Sequence, residues 1–319
     1  MNALIGRARR NPVPFVLCGL WLALMVFVLS VRPGMVSEST LRSILQFATI
    51  LSLVSLGQTL VILAGGAGID LSVGGNVSLS AVVALLALQA GVPGPMLPLA
   101  CLLVGASLGA INGLLTNRLG IFPLVATLGT YYVYSGMALA VTGGGALSNV
   151  PDWALPWGRG SIEALPLPFI TLSVPLFIVA FVLFGYTSWG RWIHAMGHNE
   201  QAARLVGIPV DRMRFTSYVL CGALAGMAAF VSLAWFGSGR PNIGVNLELE
   251  SVTAVLLGGV AIFGGRGSVV GVIAAVLLIV SMKTVMLQFG INALWQVGVT
   301  GALLISVAVI DHRFGRGVR

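Results

Sequence analysis

Long runs of apolar residues dominate this chain, and they lack the every-second-residue alternation of a half-buried strand. Trp21-Leu-Ala-Leu-Met-Val-Phe-Val28 is typical. A helix needs about 20 such residues to cross a bilayer, and a charge at its centre costs about 2.5–3.5 kcal/mol on insertion scales. Charge-free windows therefore set the count. The window over 71–117 is too long for one helix, and Gly91-Val-Pro-Gly-Pro95 divides it where a helix cannot continue. The pattern predicts ten helices, at about 15–31, 45–63, 74–90, 97–116, 121–141, 168–187, 214–236, 249–264, 268–288 and 293–310. The eighth and ninth are joined by little more than Gly264-Gly265-Arg266-Gly267. A transmembrane barrel would need alternating strands about ten residues long, which are not present. The expected fold class is an all-α integral membrane protein.

Composition agrees. Apolar residues make up 57% of the chain and charged residues 8%, with a mean hydropathy of +1.00. Soluble domains carry roughly a quarter charged residues, so soluble enzymes and nucleic-acid readers are excluded. The pI near 10.3 reflects scattered arginines, not a basic tract, and Lys283 is the one lysine. With the N-terminus inside, the inner side collects Arg7, Arg9, Arg10, Arg118, Arg191, Arg204, Arg212, Arg214, Arg266, Arg313, Arg316 and Arg319. The outer side collects Arg32, Arg42, Arg159, Arg240 and Lys283. The positive-inside rule selects this orientation, and an even number of crossings then places both termini in the cytoplasm. No small-residue cleavage site precedes Val31-Arg32-Pro33, so the first helix is expected to stay uncleaved.

The chemistry-bearing residues are few. No G-x-x-x-x-G-K-[ST] loop surrounds Lys283, so the chain is not expected to hydrolyse ATP itself. Nearly all of the nine acids, among them Glu248 and Glu250, fall in loops or at helix ends, and Asp70 lies in a break between apolar runs, which gives a proton or sodium relay little support. Cys18, Cys101 and Cys221 lie in apolar segments and read as packing residues. His194 and His198 stand four apart without a third ligand, so no metal site is assigned. Neither a catalytic triad nor a paired-carboxylate site is present, and no catalytic residue is assigned. The whole of 1–319 reads as one transmembrane domain. Glycine reaches 42 residues; spacings such as Gly105-Ala-Ser-Leu-Gly109 and Gly222-Ala-Leu-Ala-Gly226 suit close helix approach.

Three stretches carry more information. In Leu63-Ala-Gly-Gly-Ala-Gly-Ile-Asp-Leu-Ser-Val-Gly-Gly-Asn76 a glycine-broken helix leads to Asp70 and Ser72. These residues suit a cap on the next helix, a place on a solute path, or both. The polar stretch over about 189–213 contains Asn199, a good N-cap for a short helix through Leu205 that ends at Gly207 and Pro209. Ala202 and Ala203 give that helix a small face beside Glu200 and Arg204, an i,i+4 pair. By spacing alone it is either a handle for a motor protein or an ordinary solvated loop. The third stretch, Leu256-Leu-Gly-Gly-Val-Ala-Ile-Phe-Gly-Gly-Arg-Gly-Ser-Val-Val-Gly271, repeats the pairing of glycines with a break.

Together, Gly68-Ile-Asp-Leu-Ser-Val-Gly74, Asn199-Glu-Gln-Ala-Ala-Arg-Leu-Val-Gly-Ile208 and Phe263-Gly-Gly-Arg-Gly-Ser268 resemble the ribose-type permeases of bacterial ABC sugar importers. Gly109-Ala-Ile-Asn-Gly-Leu-Leu115 and Thr127-Leu-Gly-Thr130 fit as well, and the likeness spans about 45–310. Ala67-Gly68 departs from the family's commoner Gly-Gly-Ile-Asp, and His198 stands where glycine is commoner. The resemblance implies a type II-like importer permease with about ten helices, some broken in the core, working as a homo- or heterodimer in the inner membrane. Two cytoplasmic ATPase subunits would bind ATP and Mg, this chain would hold no cofactor, and a periplasmic sugar-binding protein would deliver a monosaccharide or similar polyol. Asn199, Glu200, Ala202, Ala203, Arg204 and Gly207 would then form the ATPase-coupling helix. Asp70, Ser72, Asn76, Asn112 and Thr127 are the candidate path residues. The competing readings are an ion-coupled carrier that works without an ATPase, and a passive channel or structural membrane subunit.

Overall fold

The computed structural model describes residues 13–32, 34 and 36–314. Arg7, Arg9, Arg10, Arg316 and Arg319 of the inside-positive count lie outside them. The helices are α1 Val13–Val31, α2 Glu38–Leu63, α3 Val73–Gln89, α4 Leu97–Asn117, α5 Pro123–Thr142, α6 Ala154–Arg159, α7 Val174–Tyr186, α8 Ser188–His198, α9 Glu200–Leu205, α10 Val210–Phe236, α11 Leu247–Leu257, α12 Val269–Gln288 and α13 Ala293–Phe314. A two-residue hairpin, β1 Ser161–Ile162 with β2 Leu165–Pro166, follows α6. Each of the ten predicted segments overlaps a helix, but the eighth helix ends at Leu257 and not at 264, because the backbone turns left-handed at Gly259 (φ +85°). Among the described residues, seven helical stretches are long and apolar enough to cross a membrane, and α3 and part of α13 are shorter apolar helices.

Two further departures have local causes. The sixth segment begins with a π-turn over Phe169–Ser173, because Pro175 in the first turn of α7 has no N–H to continue the regular ladder. Ser188–His198 is helical, although its sequence is too polar to register as an apolar run. Thr187 starts it by accepting from Gly190 N at 3.2 Å, and Ile193 and Met196 bury one side.

The bundle is organised around α2. Its membrane-length window is 94% buried, against 11% for α1. Two apolar clusters share this helix. One joins it to α7, α11 and α12, the other to α3, α4 and α10. Helices α4 and α10 approach most closely, along the two predicted glycine pairs. A Cβ on Gly105 would run into Gly222 O, and one on Gly109 into Tyr218 O. A Cβ on Gly222 would strike Gly105 O, and one on Gly226 Cys101 O. Small residues at i and i+4 on both partners thus allow backbone contact.

Helix α11 enters the bundle unusually. After α10 ends at Gly237 (φ +72°), Gly239 pairs with Leu147 through two 2.8 Å backbone bonds and lies against Leu85 of α3. Five residues later Gly244 N donates to Ser78 Oγ at 3.0 Å, and its backbone abuts Gly74. Leu85 to Gly74 is about 16 Å along a helix. The connection therefore runs beside α3 before α11 begins, and α11 itself is 11 residues long.

The α4–α10 contact is backbone on backbone and cannot yield by a rotamer change. Gly222→Leu is expected to cost about 3 kcal/mol or more, seen as a lowered unfolding temperature in detergent. Gly129→Leu, where a Cβ meets nothing within 4 Å, is the matched control and leaves that temperature unchanged.

Candidate functional site

The site begins at the short polar helix. Asn199 ends α8 and starts α9, its Oδ1 accepting from Ala202 N at 3.0 Å. Gly207, at φ +83°, closes α9 with its N–H on Arg204 O. Ala203 is buried and seats the helix, whereas Ala202 is exposed. Leu205 and Val206 are 89% and 76% exposed, two apolar knobs on the outer side of a polar turn.

Charge fixes that turn to the bundle. Arg204 bonds Glu200 Oε1 at 2.9 Å and, through Nη1, Asp211 Oδ2 at 3.0 Å. Arg214 of α10 bonds Glu200 Oε2 at 2.6 Å. These bonds, that from Arg214 first, hold the Glu200 carboxyl below the usual glutamate range, and the Arg204 guanidinium is raised by Asp211 and Glu200. A carboxylate depressed in the folded state contributes stability above its unfolded value, about 4.3, and loses it as pH falls through the lower folded value. The cluster is thus fully formed throughout the neutral range.

Arg214 also reaches the break after α2. Its guanidinium covers Gly66 (φ +66°), where a Cβ would come within 2.8 Å of Nη2. Beside it the three informative stretches converge. Gly265 N donates to Leu63 O at 3.1 Å, satisfying a carbonyl at the end of α2. His194 Nδ1 pairs with Gly265 O at 2.9 Å. A Cβ on Gly65 would lie 2.8 Å from Gly197 Cα, and one on Gly264 2.6 Å from Gly65 Cα. Four glycines from three distant segments form one joint because no side chain separates their backbones.

Deeper in the bundle, the break passes through a polar junction. Asp70 Oδ1 accepts from Ser72 N at 2.9 Å, Ser72 Oγ at 2.7 Å and Asn112 Nδ2 at 3.2 Å. This is an Asx turn leading into α3, whereas Ser72 makes no side-chain cap of its own. Asn112 also donates to Ser72 Oγ at 2.6 Å, and its Oδ1 accepts from Thr130 Oγ1 at 2.7 Å. Thr127 Oγ1 donates to Ile69 O at 3.1 Å. The Gln58 amide, oriented by its neighbours, spans Asp70 by donating to its O at 3.2 Å and accepting from its N at 3.1 Å. Asn76 lies a turn along α3, donating to Gly105 O at 3.1 Å and accepting from Ser80. Asp70, Ser72, Asn76, Asn112 and Thr127 are each at most 1% exposed. They form a closed junction across α3, α4 and α5 rather than an open wall.

Gln58, Thr130, Arg214 and the paired Glu250 and Lys283 are functional candidates that sequence reasoning missed. Intramembrane Gln and Lys offered the available signal. Glu250 stands at a helix start, as expected of the acids, but the inward course of the preceding segment carries that start into the bundle.

Seven membrane-length helices among the described residues, with breaks held by buried polar groups, are those of an integral membrane protein, and the family match places it in the permease class. The chain belongs to the family described as "Branched-chain amino acid transport system / permease component", which it matches over residues 40–308. It is 34% identical to a probable ABC transporter permease protein, y4mJ, of Sinorhizobium fredii, over 93% of this chain and 89% of that protein. The ribose import permease protein RbsC of Bacillus subtilis is 33% identical, over 92% of this chain and 91% of that protein. The autoinducer 2 import system permease protein LsrC of Klebsiella pneumoniae is 34% identical, over 91% and 84%. No solved structure matches.

Two substitutions separate the parts of this site. Arg214→Met removes the tie between α9 and the break, and amides over 200–207 are expected to exchange roughly tenfold faster, equivalent to about 1.4 kcal/mol of local opening. Asn112→Leu deprives Asp70 and Thr130 of a buried partner, at about 1–3 kcal/mol of global stability. It should leave exchange over 200–207 unchanged.

Proposed function

We propose that this chain is the permease subunit of an ATP-binding-cassette importer, moving a monosaccharide or similar small polyol. The observation that carries the reading is α9. It is a capped two-turn helix with exposed Leu205 and Val206, tied by Glu200 and Arg214 to a broken helix in the bundle. A push on α9 reaches Gly66 through one guanidinium. That suits a subunit whose energy comes from a partner, with ATP and Mg held there. The family description names amino acids, but relatives aligned over nearly the full chain are named for ribose and autoinducer 2, which favours a polyol.

The proposed topology has ten crossings in a type II-like arrangement, in the inner membrane, with both termini in the cytoplasm. Helix α11 and its descending lead-in together make the eighth crossing. Two permease subunits pair above two ATPase subunits, and a periplasmic binding protein delivers solute. The closed pairing of Asp70, Ser72, Asn112 and Thr127 supports a positioning role for them at the break; Asn76 adds the contact to α4. Asn199, Glu200, Ala202, Ala203, Arg204 and Gly207 form the coupling helix.

Co-expression with the ATPase and binding protein should yield a complex whose ATPase activity rises with loaded binding protein. An isolated chain that carries solute down an ion gradient in liposomes would instead establish an ion-coupled carrier. Within the complex, Arg204→Glu sets three acids together, and Ala203→Trp has no room in its buried seat. Either variant is expected to lower ATP-driven uptake at least tenfold, about 1.4 kcal/mol of coupling, while the protein still inserts. Normal uptake with a stable ATPase complex in both variants would refute the coupling role.

A further inference from the structure

Between α2, α10, α11, α12 and α13 lies a cavity of about 240 Å³, the room of roughly eight waters. Lys283 and Glu250 are paired on its wall, Nζ donating to Oε1 at 2.6 Å, with 28% and 13% of their side chains exposed. Removing both charges from water costs several kcal/mol per ion, and an apolar pair of the same volume is often as stable or more so. Ionisable residues within membrane segments point to function by default. Two observations extend the point from a pair to a site.

The first is the rest of the lining. Ser232 and Thr284 give their hydroxyl hydrogens to their own helices, to Ala228 O at 2.8 Å and Val280 O at 2.9 Å. Their oxygens remain as acceptors. Gln296 adds an amide with both donor and acceptor capacity, and Phe47 and Phe236 supply flat apolar surface. The second is the position of the cavity. Ile243 and Val245, from the segment that descends beside α3, form part of the wall.

We infer that this cavity binds a neutral polyhydroxylated solute, whose hydroxyls donate to Glu250 and accept from Lys283 while its C–H face lies on Phe47 and Phe236. The pair has no net charge, so an ionic solute gains no field and must break a 2.6 Å contact to bind. A polyol satisfies both partners and adds to the network. This deepens the importer reading by naming where the chain itself touches solute.

The test uses the purified full-length permease in lipid nanodiscs, without an ATPase or binding protein. In a Cys18→Ser background, Thr284→Cys and separately Gln296→Cys are labelled with a small cationic methanethiosulfonate. D-ribose, D-xylose and ribitol serve as neutral probes, with gluconate, choline and betaine as controls. At least one neutral probe should slow labelling hyperbolically, about tenfold at ten times its dissociation constant, and the controls should not. The protection should vanish in Glu250→Gln/Lys283→Met and return in Glu250→Lys/Lys283→Glu. Equal labelling rates with every solute, equal protection by the controls, or protection that survives the double neutral variant would overturn the assignment. So would folded cysteine variants that cannot be labelled. The importer reading stands or falls separately, on ATPase stimulation.

Discussion

A backbone interrupted inside a bilayer must find elsewhere the hydrogen bonds that a helix would have supplied. The interval between Leu63 and Val73 meets that demand from four directions. Gly265 N reaches the last carbonyl of α2, Gln58 brackets the Asp70 peptide, Asp70 gathers Ser72, and Thr127 takes Ile69 O. No one of these elements can move without exposing a partner. The break is therefore a shared joint of α2, α3, α5 and the chain after α11, and it is the place in the bundle where a displacement must be cooperative.

Glycine performs two different jobs around that joint. At Gly66, Gly264 and Gly265 the backbone is left-handed, with φ of +66°, +86° and +78°, a conformation that L side chains rarely adopt. At Gly105, Gly109, Gly222 and Gly226 the conformation is ordinary helix, and the requirement is proximity. The first group lets the chain turn under α9. The second holds α4 to α10, so that α10 delivers Arg214 and α4 delivers Asn112 from one rigid pair. Ala67, at φ +54°, is the exception: a Cβ in a left-handed position, at the site where the sequence departs from the family's commoner pattern.

Much of this was legible from residue order. Unbroken apolar runs located the long apolar helices, the i,i+4 glycines announced the α4–α10 contact, and Asn199 marked the start of α9 as its cap chemistry requires. What stayed hidden depends on contacts between residues distant in sequence. Arg214 looks like one more inside-positive arginine until Glu200 and Gly66 are placed around it. The inward course of 237–246 is set by Leu147, Leu85 and Gly74, none of them near in sequence. Glu250 and Lys283 are 33 residues apart and each sits near a helix end by count; only the descent of that segment makes them a half-buried pair. Sequence singled out Asp70, Ser72 and Asn112 but could not reveal that these three bond one another, or that Asn76 and Thr127 turn instead to the backbone of Gly105 and Ile69.

The outermost helix carries a consequence for how the chain is made. Trp21 Nε1 of α1 donates to Ser281 Oγ of α12 at 2.9 Å, across 260 residues. At about 5–20 residues per second, synthesis of that interval takes roughly 13–50 s. For that long α1 lacks this partner, and its uncharged apolar surface suits it to wait in lipid. Its place is completed only by nearly the last helix made. The contact between α1 and α12 can thus form only after every helix between them has been made.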